Sequence, residues 1–266
     1  MKSNFLSQFI RYKKYQHIIY KKYKSPRELD KINEDYIEKL KKDGFIIIKN
    51  YFSKEKCLKL INILDDFMMN NKDKICIDSN FSDNRVYGAE NISLSFREKV
   101  DESVKLTKQI GEQYLNQDID LYMIMANKVI FKDGNLGSGQ GWHKDSYTKQ
   151  FKSIIYLNHV DTNNGPLQIV RNSRSDIFML KTFYKLKNKF PSTRFTDDEI
   201  SSILDNKNEI LELTAEAGSL ILFDSSLIHR GKKLTSKTRY ALTNYYFRKS
   251  DFESHKGHFL PLLNKI

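Results

Sequence analysis

The sequence predicts a mainly β domain, a barrel or sandwich of short strands, flanked by helices at its N-terminal side. Three observations lead there. Apolar residues at helical spacing fill much of the first 116 positions, whereas from Asp118 onward the chain breaks into short β-rich segments punctuated by Gly, Asn and Asp. The length, 266 residues, suits one sizeable core. A hydrophobic share of 39% with 12% aromatics argues for packing rather than disorder.

In chain order, Phe5, Leu6, Phe9, Ile10, Ile18 and Ile19 interleave with Arg11, Lys13, Lys14, Lys21 and Lys22. That pattern predicts a basic amphipathic helix within residues 1–24, stopped by Ser25-Pro26. Docking on the barrel or at a dimer contact is its expected role; contact with an anionic membrane surface is the alternative. A second helix over about 30–42 completes an N-terminal extension, residues 1–42, that ends at Asp43-Gly44. Phe45 to Ile48 is apolar without interruption and reads as a buried strand. Ser53 then caps a helix that places Leu58, Ile61, Leu64, Phe67 and Met68 on one face. A further helix is expected over 97–116, and strands near 121–131, 151–160, 166–171, 210–213, 219–224 and 239–248. Between them, residues 175–208 carry Phe178, Met179, Phe183, Tyr184 and a Pro191-Ser192 break. This segment predicts a helical insertion, and insertions beside active sites often serve as lids. With no repeat and no linker, residues 1–266 form a single domain in this reading.

Several function classes are disfavoured by composition. No run approaches the roughly 18–20 apolar residues that span a bilayer, and the basic start lacks the pattern of a secretory signal. Cys57 and Cys76 stand outside metal-ligand spacing and read as reduced thiols of a cytoplasmic protein. The formal charge of +12 fits a lysine-rich solvated surface and also favours acidic ligands or membrane surfaces. No nucleic-acid-binding module accompanies it, so no nucleic-acid partner is expected.

The chemistry is written in His143-Lys144-Asp145 and the distant His229. On an extended chain, side chains repeat every two residues, so His143 and Asp145 share a side. One further histidine completes a two-histidine, one-carboxylate facial triad, the ligand set of non-haem Fe(II) oxygenases, with open positions for the cosubstrate and O₂. Zinc accepts the same donors. Gln140-Gly141-Trp142-His143-Lys144-Asp145 is followed by Asn164-Gly165-Pro166-Leu167, Ala217-Gly218-Ser219-Leu220-Ile221-Leu222-Phe223-Asp224, His229-Arg230-Gly231 and Arg239. In order and spacing, from about Asp43 to about Phe247, these landmarks resemble the phytanoyl-CoA dioxygenase family of Fe(II)/2-oxoglutarate oxygenases.

The resemblance implies a double-stranded β-helix, the cupin-like jelly roll, with Fe(II) as cofactor and 2-oxoglutarate and O₂ as cosubstrates. It assigns the metal to His143, Asp145 and His229, and the distal carboxylate of 2-oxoglutarate to Arg239, whose planar fork suits a carboxylate. Thr243 shares the strand face of Arg239 and is placed in the same pocket. Lys128 is expected to look into the barrel toward 2-oxoglutarate; if the other face turns inward, Asn127 takes that place. Tyr156 is assigned to the substrate. Where the family carries Pro-Gly-Ser-His, this chain has Arg171-Asn172-Ser173-Arg174, in which Asn172 tolerates a left-handed turn. Arg171 and Arg174 would add cations at the mouth and suggest an anionic substrate; a surface turn is the competing reading. Related halogenases replace the carboxylate ligand, and Asp145 therefore favours hydroxylation of an aliphatic C–H. The substrate is expected to be a small molecule, free or conjugated to a carrier, lipid or sugar. A catalytically silent cupin-like binding protein and a zinc-dependent enzyme on the same barrel are the rival readings.

Overall fold

The computed structural model describes residues 4–22, 34–187, 189–206 and 209–263. The predicted stop at Ser25-Pro26 lies outside them. Helices α1 (Phe5–Lys22) and α2 (Glu34–Asp43) precede strand β1 (Phe45–Ile48), helix α3 (Lys54–Asn70), strands β2 (Cys76–Ile77) and β3 (Asp83–Tyr87) and helix α4 (Leu94–Leu115). Strands β4 (Asp120–Ile130), β5 (Phe151–Tyr156) and β6 (Leu167–Val170) follow, then helices α5 (Asp176–Lys185) and α6 (Asp197–Ile203). Strands β7 (Ile210–Leu213), β8 (Leu220–Asp224), β9 (His229–Gly231) and β10 (Thr238–Phe247) lead to the C-terminal helix α7 (Phe252–Leu263).

The strands form two antiparallel sheets. The larger has the order β1-β8-β5-β10-β4-β3-β2 and the smaller β7-β6-β9. The sheets face one another as the two layers of a double-stranded β-helix, with flanking helices as the sequence predicts. Local chemistry explains the helix ends. The Ser53 hydroxyl accepts from the Lys56 N–H and starts α3, and α4 begins at Ser93 in the same manner. Both helices bury one stripe, including Leu60 and Leu64 of α3 and Phe96, Val100 and Ile110 of α4.

That stripe settles which way each strand of the large sheet faces. The helices cover its outer surface and demand apolar partners there: Ile124 and Ala126 of β4, Ile155 of β5, Leu222 of β8 and Leu242 of β10. The alternate residues turn inward, where Tyr156, Ile221, Phe223 and Ala241 meet Leu167, Ile169 and Leu213 of the small sheet.

Two additions close the molecule. Helix α1 docks on α5 through Tyr12, 1% exposed, which packs with Tyr147, Met179 and Phe183, and through a Lys13–Asp176 ion pair of 2.8 Å. Leu6, Ile10 and Ile18 remain exposed on its other side. The C-terminal helix α7 packs Phe259 against Tyr87, Met123 and Met125. No helix among the described residues is long and apolar enough to cross a membrane.

Candidate metal centre and its cavity

The segment from Trp142 to Asp145 lies between β9 and a stretch of the 175–208 insertion. His143 and His229 exchange both backbone hydrogen bonds, at 2.9 and 2.8 Å, as an antiparallel pair. On the other edge, the Lys144 N–H donates to the Thr193 carbonyl and the Phe195 N–H to that of Trp142, each at 2.9 Å. Asp145 is held by its N–H to the Ser225 carbonyl, 3.0 Å away.

Backbone pairing therefore fixes three side chains that converge: the ligand atoms of His143, Asp145 and His229 all lie within 4.8 Å of one another. Each imidazole donates its Nδ1–H to a backbone carbonyl, that of Gly141 at 2.9 Å for His143 and that of Leu227 at 2.8 Å for His229. A carbonyl can only accept, so Nε2 of both rings keeps its lone pair for a metal. Burial drives the pKa of His229 down to about 3, reinforced by His143, and burial likewise lowers that of His143, so both stay neutral. Metal bonds of about 2.0–2.2 Å put adjacent donors on one ion roughly 3 Å apart. The three donors converge on one point and have the chemistry of a divalent-ion site, and a bound ion would draw them closer together.

Lys152 was not singled out in the sequence. Its ammonium lies 2.6 Å from Asp145 Oδ2, while Asp145 Oδ1 faces His143 Nε2 at 3.8 Å. Burial alone would raise the Asp145 carboxyl, but the Lys152 ammonium and the two imidazoles outweigh it and hold it well below the usual carboxylate range. Asp145 thus reserves one oxygen for metal and one for Lys152. Lys152 also sits 4.2 Å above the Tyr245 ring. The signal was parity: Lys152 shares its strand face with Ile154 and Tyr156, and all three line the cavity.

The centre opens into a cavity of about 240 Å³ between the two sheets. Arg239, Ala241, Thr243 and Tyr245 line it from alternate positions of β10, as the strand periodicity predicts. Arg239 is 5% exposed, its Nη1 donates to the Gly165 carbonyl, and its Nε is buried with no hydrogen-bond partner among the described residues. Burial lowers its pKa, only partly opposed by Tyr156 and Asp83. Asp83 is already committed to Arg85 at 2.5 Å. Tyr156 is fully buried in the wall, where its hydroxyl receives the Leu167 N–H and donates to the Leu213 carbonyl. Gly139 lies directly against the centre: a Cβ there would stand 2.7 Å from Cε1 of His143, and its φ of +87° favours glycine.

Three expectations are corrected. Lys128 points out of the barrel to Asp65 of α3, 2.8 Å away, because Ala126 and Lys128 share the helix-covered face; Asn127 lines the cavity instead. Arg171 is exposed and lines no part of this cavity. Asn172, at φ +55°, makes the left-handed turn that carries the chain away from the mouth. Arg174 consequently reaches the buried carboxylate of Asp224 at 3.0 Å and the Leu40 carbonyl at 2.8 Å, because a buried Asp224 requires a cation. The cations that do line the cavity are Arg85, Lys152, Arg194 and Arg239. Arg194 comes from the insertion, is exposed, and donates to the Gly139 carbonyl at 2.5 Å. Phe259 of α7 completes the wall, a contribution that no feature of the sequence motif announced.

No curated protein sequence matches the chain. Among solved structures, EctD from S. alaskensis in its apoform superposes with a TM-score of 0.61 at 16% identity, covering 84% of this chain and 81% of that one. The non-haem alpha-ketoglutarate-dependent carbocyclase SnoK from nogalamycin biosynthesis gives 0.61 at 13%, covering 84% and 87%. HygX from Streptomyces hygroscopicus, with nickel, 2-oxoglutarate and hygromycin B bound, gives 0.56 at 14%, covering 82% and 88%. These likenesses establish a common fold. The family model for phytanoyl-CoA dioxygenase (PhyH) matches residues 40–241, which run from α2 into the start of β10 and include His143, Asp145 and His229. On that match the chain belongs to the phytanoyl-CoA dioxygenase (PhyH) family and is an Fe(II)- and 2-oxoglutarate-dependent oxygenase.

Proposed function

We propose that the protein hydroxylates an aliphatic C–H of a small anionic molecule, with His143, Asp145 and His229 holding the iron. The observation that carries this reading is one cavity containing both the three convergent donors and a buried guanidinium, Arg239, whose Nε has no hydrogen-bond partner among the described residues. Bound iron supplies O₂-dependent oxidation coupled to conversion of 2-oxoglutarate to succinate and CO₂.

The protein's own part is positioning. Arg239 grips the distal carboxylate of 2-oxoglutarate, with Thr243 beside it on β10. Lys152 orients Asp145 and offsets its charge. Tyr156, with its hydroxyl committed to backbone, acts as a rigid wall. Arg194 stands at the mouth and receives an anionic group of the substrate, the role expected earlier of Arg171 and Arg174. A small-molecule substrate is supported by HygX, a structural neighbour that is seen with hygromycin B. In our reading the 175–208 insertion closes over the substrate through its Thr193–Phe195 stretch. Substrate binding should then raise hydrogen-exchange protection in that stretch, and protection confined to the barrel would count against it.

Anaerobic titration of the Fe(II)-loaded protein with 2-oxoglutarate tests the core of the proposal. A weak visible charge-transfer band is expected, followed by succinate release when O₂ and a substrate are supplied. A silent binding protein or a zinc enzyme would give neither.

A further inference from the structure

Behind the metal segment, on the side away from the iron, lies a second cavity of about 310 Å³. Its existence follows from strand alternation: His143 and Asp145 face the iron cavity, so Lys144 between them faces the other way. Five cations converge on it: Lys41 and Lys42 from the end of α2, Lys144, Lys149 and Arg174. No aspartate or glutamate lines it among the described residues. The carboxylate of Asp224, which pairs with Arg174 and Tyr114 and also acts on Lys144 and Lys149, is a single negative charge among five basic side chains. Lys144 is 2% exposed, and its ammonium donates to the Ser173 carbonyl at 2.7 Å and to that of Ser226. No carboxylate lies within ion-pair distance of it among the described residues.

We propose that this second cavity binds a phosphate-bearing small molecule. Lys42, Lys144 and Lys149 surround the phosphate, and the exposed ring of Tyr20 lies beside the organic part. A single carboxylate would leave most of the cluster uncompensated, whereas a phosphate dianion uses several compact ammonium donors at once. Ser175, at the start of α5, also lines the cavity and adds the positive end of that helix to the same wall. The volume reaches the lower end of the roughly 300–1,000 Å³ of ligand pockets, more than a bare oxyanion requires. Helix α1 supplies Tyr12, Gln16 and Tyr20 to the lining, which gives the N-terminal extension a ligand-binding part. The site is independent of the iron reading.

The test uses the full chain loaded with Ni(II) and 2-oxoglutarate, titrated calorimetrically at fixed ionic strength with inorganic phosphate and with adenosine monophosphate. Saturable one-to-one binding is expected, tighter for the nucleotide. The exposed pair Lys42→Gln/Lys149→Gln should weaken it at least about tenfold while leaving the 2-oxoglutarate titration unchanged. Three results would overturn the proposal: no saturable binding of either probe, equal binding by the double variant, or binding that excess 2-oxoglutarate displaces and Arg239→Met abolishes. The last would place the anion in the iron cavity.

Discussion

Replacing Arg239 by methionine separates two roles that a buried arginine can have. If Arg239 were a structural ion-pair partner, removing it would strand a buried carboxylate and cost about 3–5 kcal/mol. Among the described residues no carboxylate lies within ion-pair distance of Arg239: Asp83, which acts on it through space, is held by Arg85, and the Arg239 guanidinium donates to the Gly165 carbonyl. Losing that bond costs about 1 kcal/mol. Removing an uncompensated buried cation returns a similar amount. The ligand-free variant should therefore stay within about 1 kcal/mol of the parent, a Tm shift of no more than roughly 4 °C for a domain of this size. Cosubstrate binding should respond very differently. A charge-assisted bidentate pair at a buried site is worth about 2–5 kcal/mol, which at about 1.4 kcal/mol per tenfold means a loss of roughly 30-fold to several thousand-fold. The assay pairs thermal unfolding without ligand with the anaerobic 2-oxoglutarate titration of the iron-loaded protein. An unchanged titration midpoint would refute the reasoning, and so would a ligand-free Tm lowered by more than about 10 °C, since that would reveal a structural partner.

Other substitutions probe the remaining parts. His143→Ala and His229→Ala should abolish stoichiometric iron by metal analysis while circular dichroism stays native-like, and Asp145→Ala should keep weak iron but lose turnover; normal turnover in any of the three would show the triad misassigned. Lys152→Met breaks a buried pair and should destabilise the metal-free protein by about 3–5 kcal/mol; a divalent ion on Asp145 should restore much of this, and an equal loss with and without Ni(II) would contradict that role. Lys128→Met should cost less than about 1 kcal/mol, because its bond to Asp65 is part-exposed. The 2-oxoglutarate midpoint of that variant should not move, and a weakened one would put Lys128 back in the barrel.

The convergence of His143, Asp145 and His229 was legible because its information is local: two candidate ligands two residues apart need only an extended chain, and a distant histidine joins them. The place of Arg239 and Thr243 on the cavity wall was legible for the same reason, since one strand face carries both. Lys128 was not, because β4 runs Met123, Ile124, Met125, Ala126 and is apolar on both faces. Only the packing of α3 and α4 decides which side is inner. Arg171 and Arg174 failed on direction: the left-handed turn at Asn172 was foreseen, but where it sends the chain depends on the buried Asp224 far away in sequence. Arg85 and Phe259 were invisible because β3 is a short polar strand and α7 joins the site only through tertiary packing.

The pairing of His143 with His229 through both backbone hydrogen bonds has a consequence for repair. The distance between those two ligands is inherited from the ladder and not from the metal or the rings. Truncating either side chain therefore leaves its backbone in register and opens an imidazole-sized hollow beside the surviving donors. Free imidazole diffused into His143→Gly or His229→Gly should occupy that hollow and restore part of the iron binding, as a detached ligand returning to a socket that the main chain has kept in place.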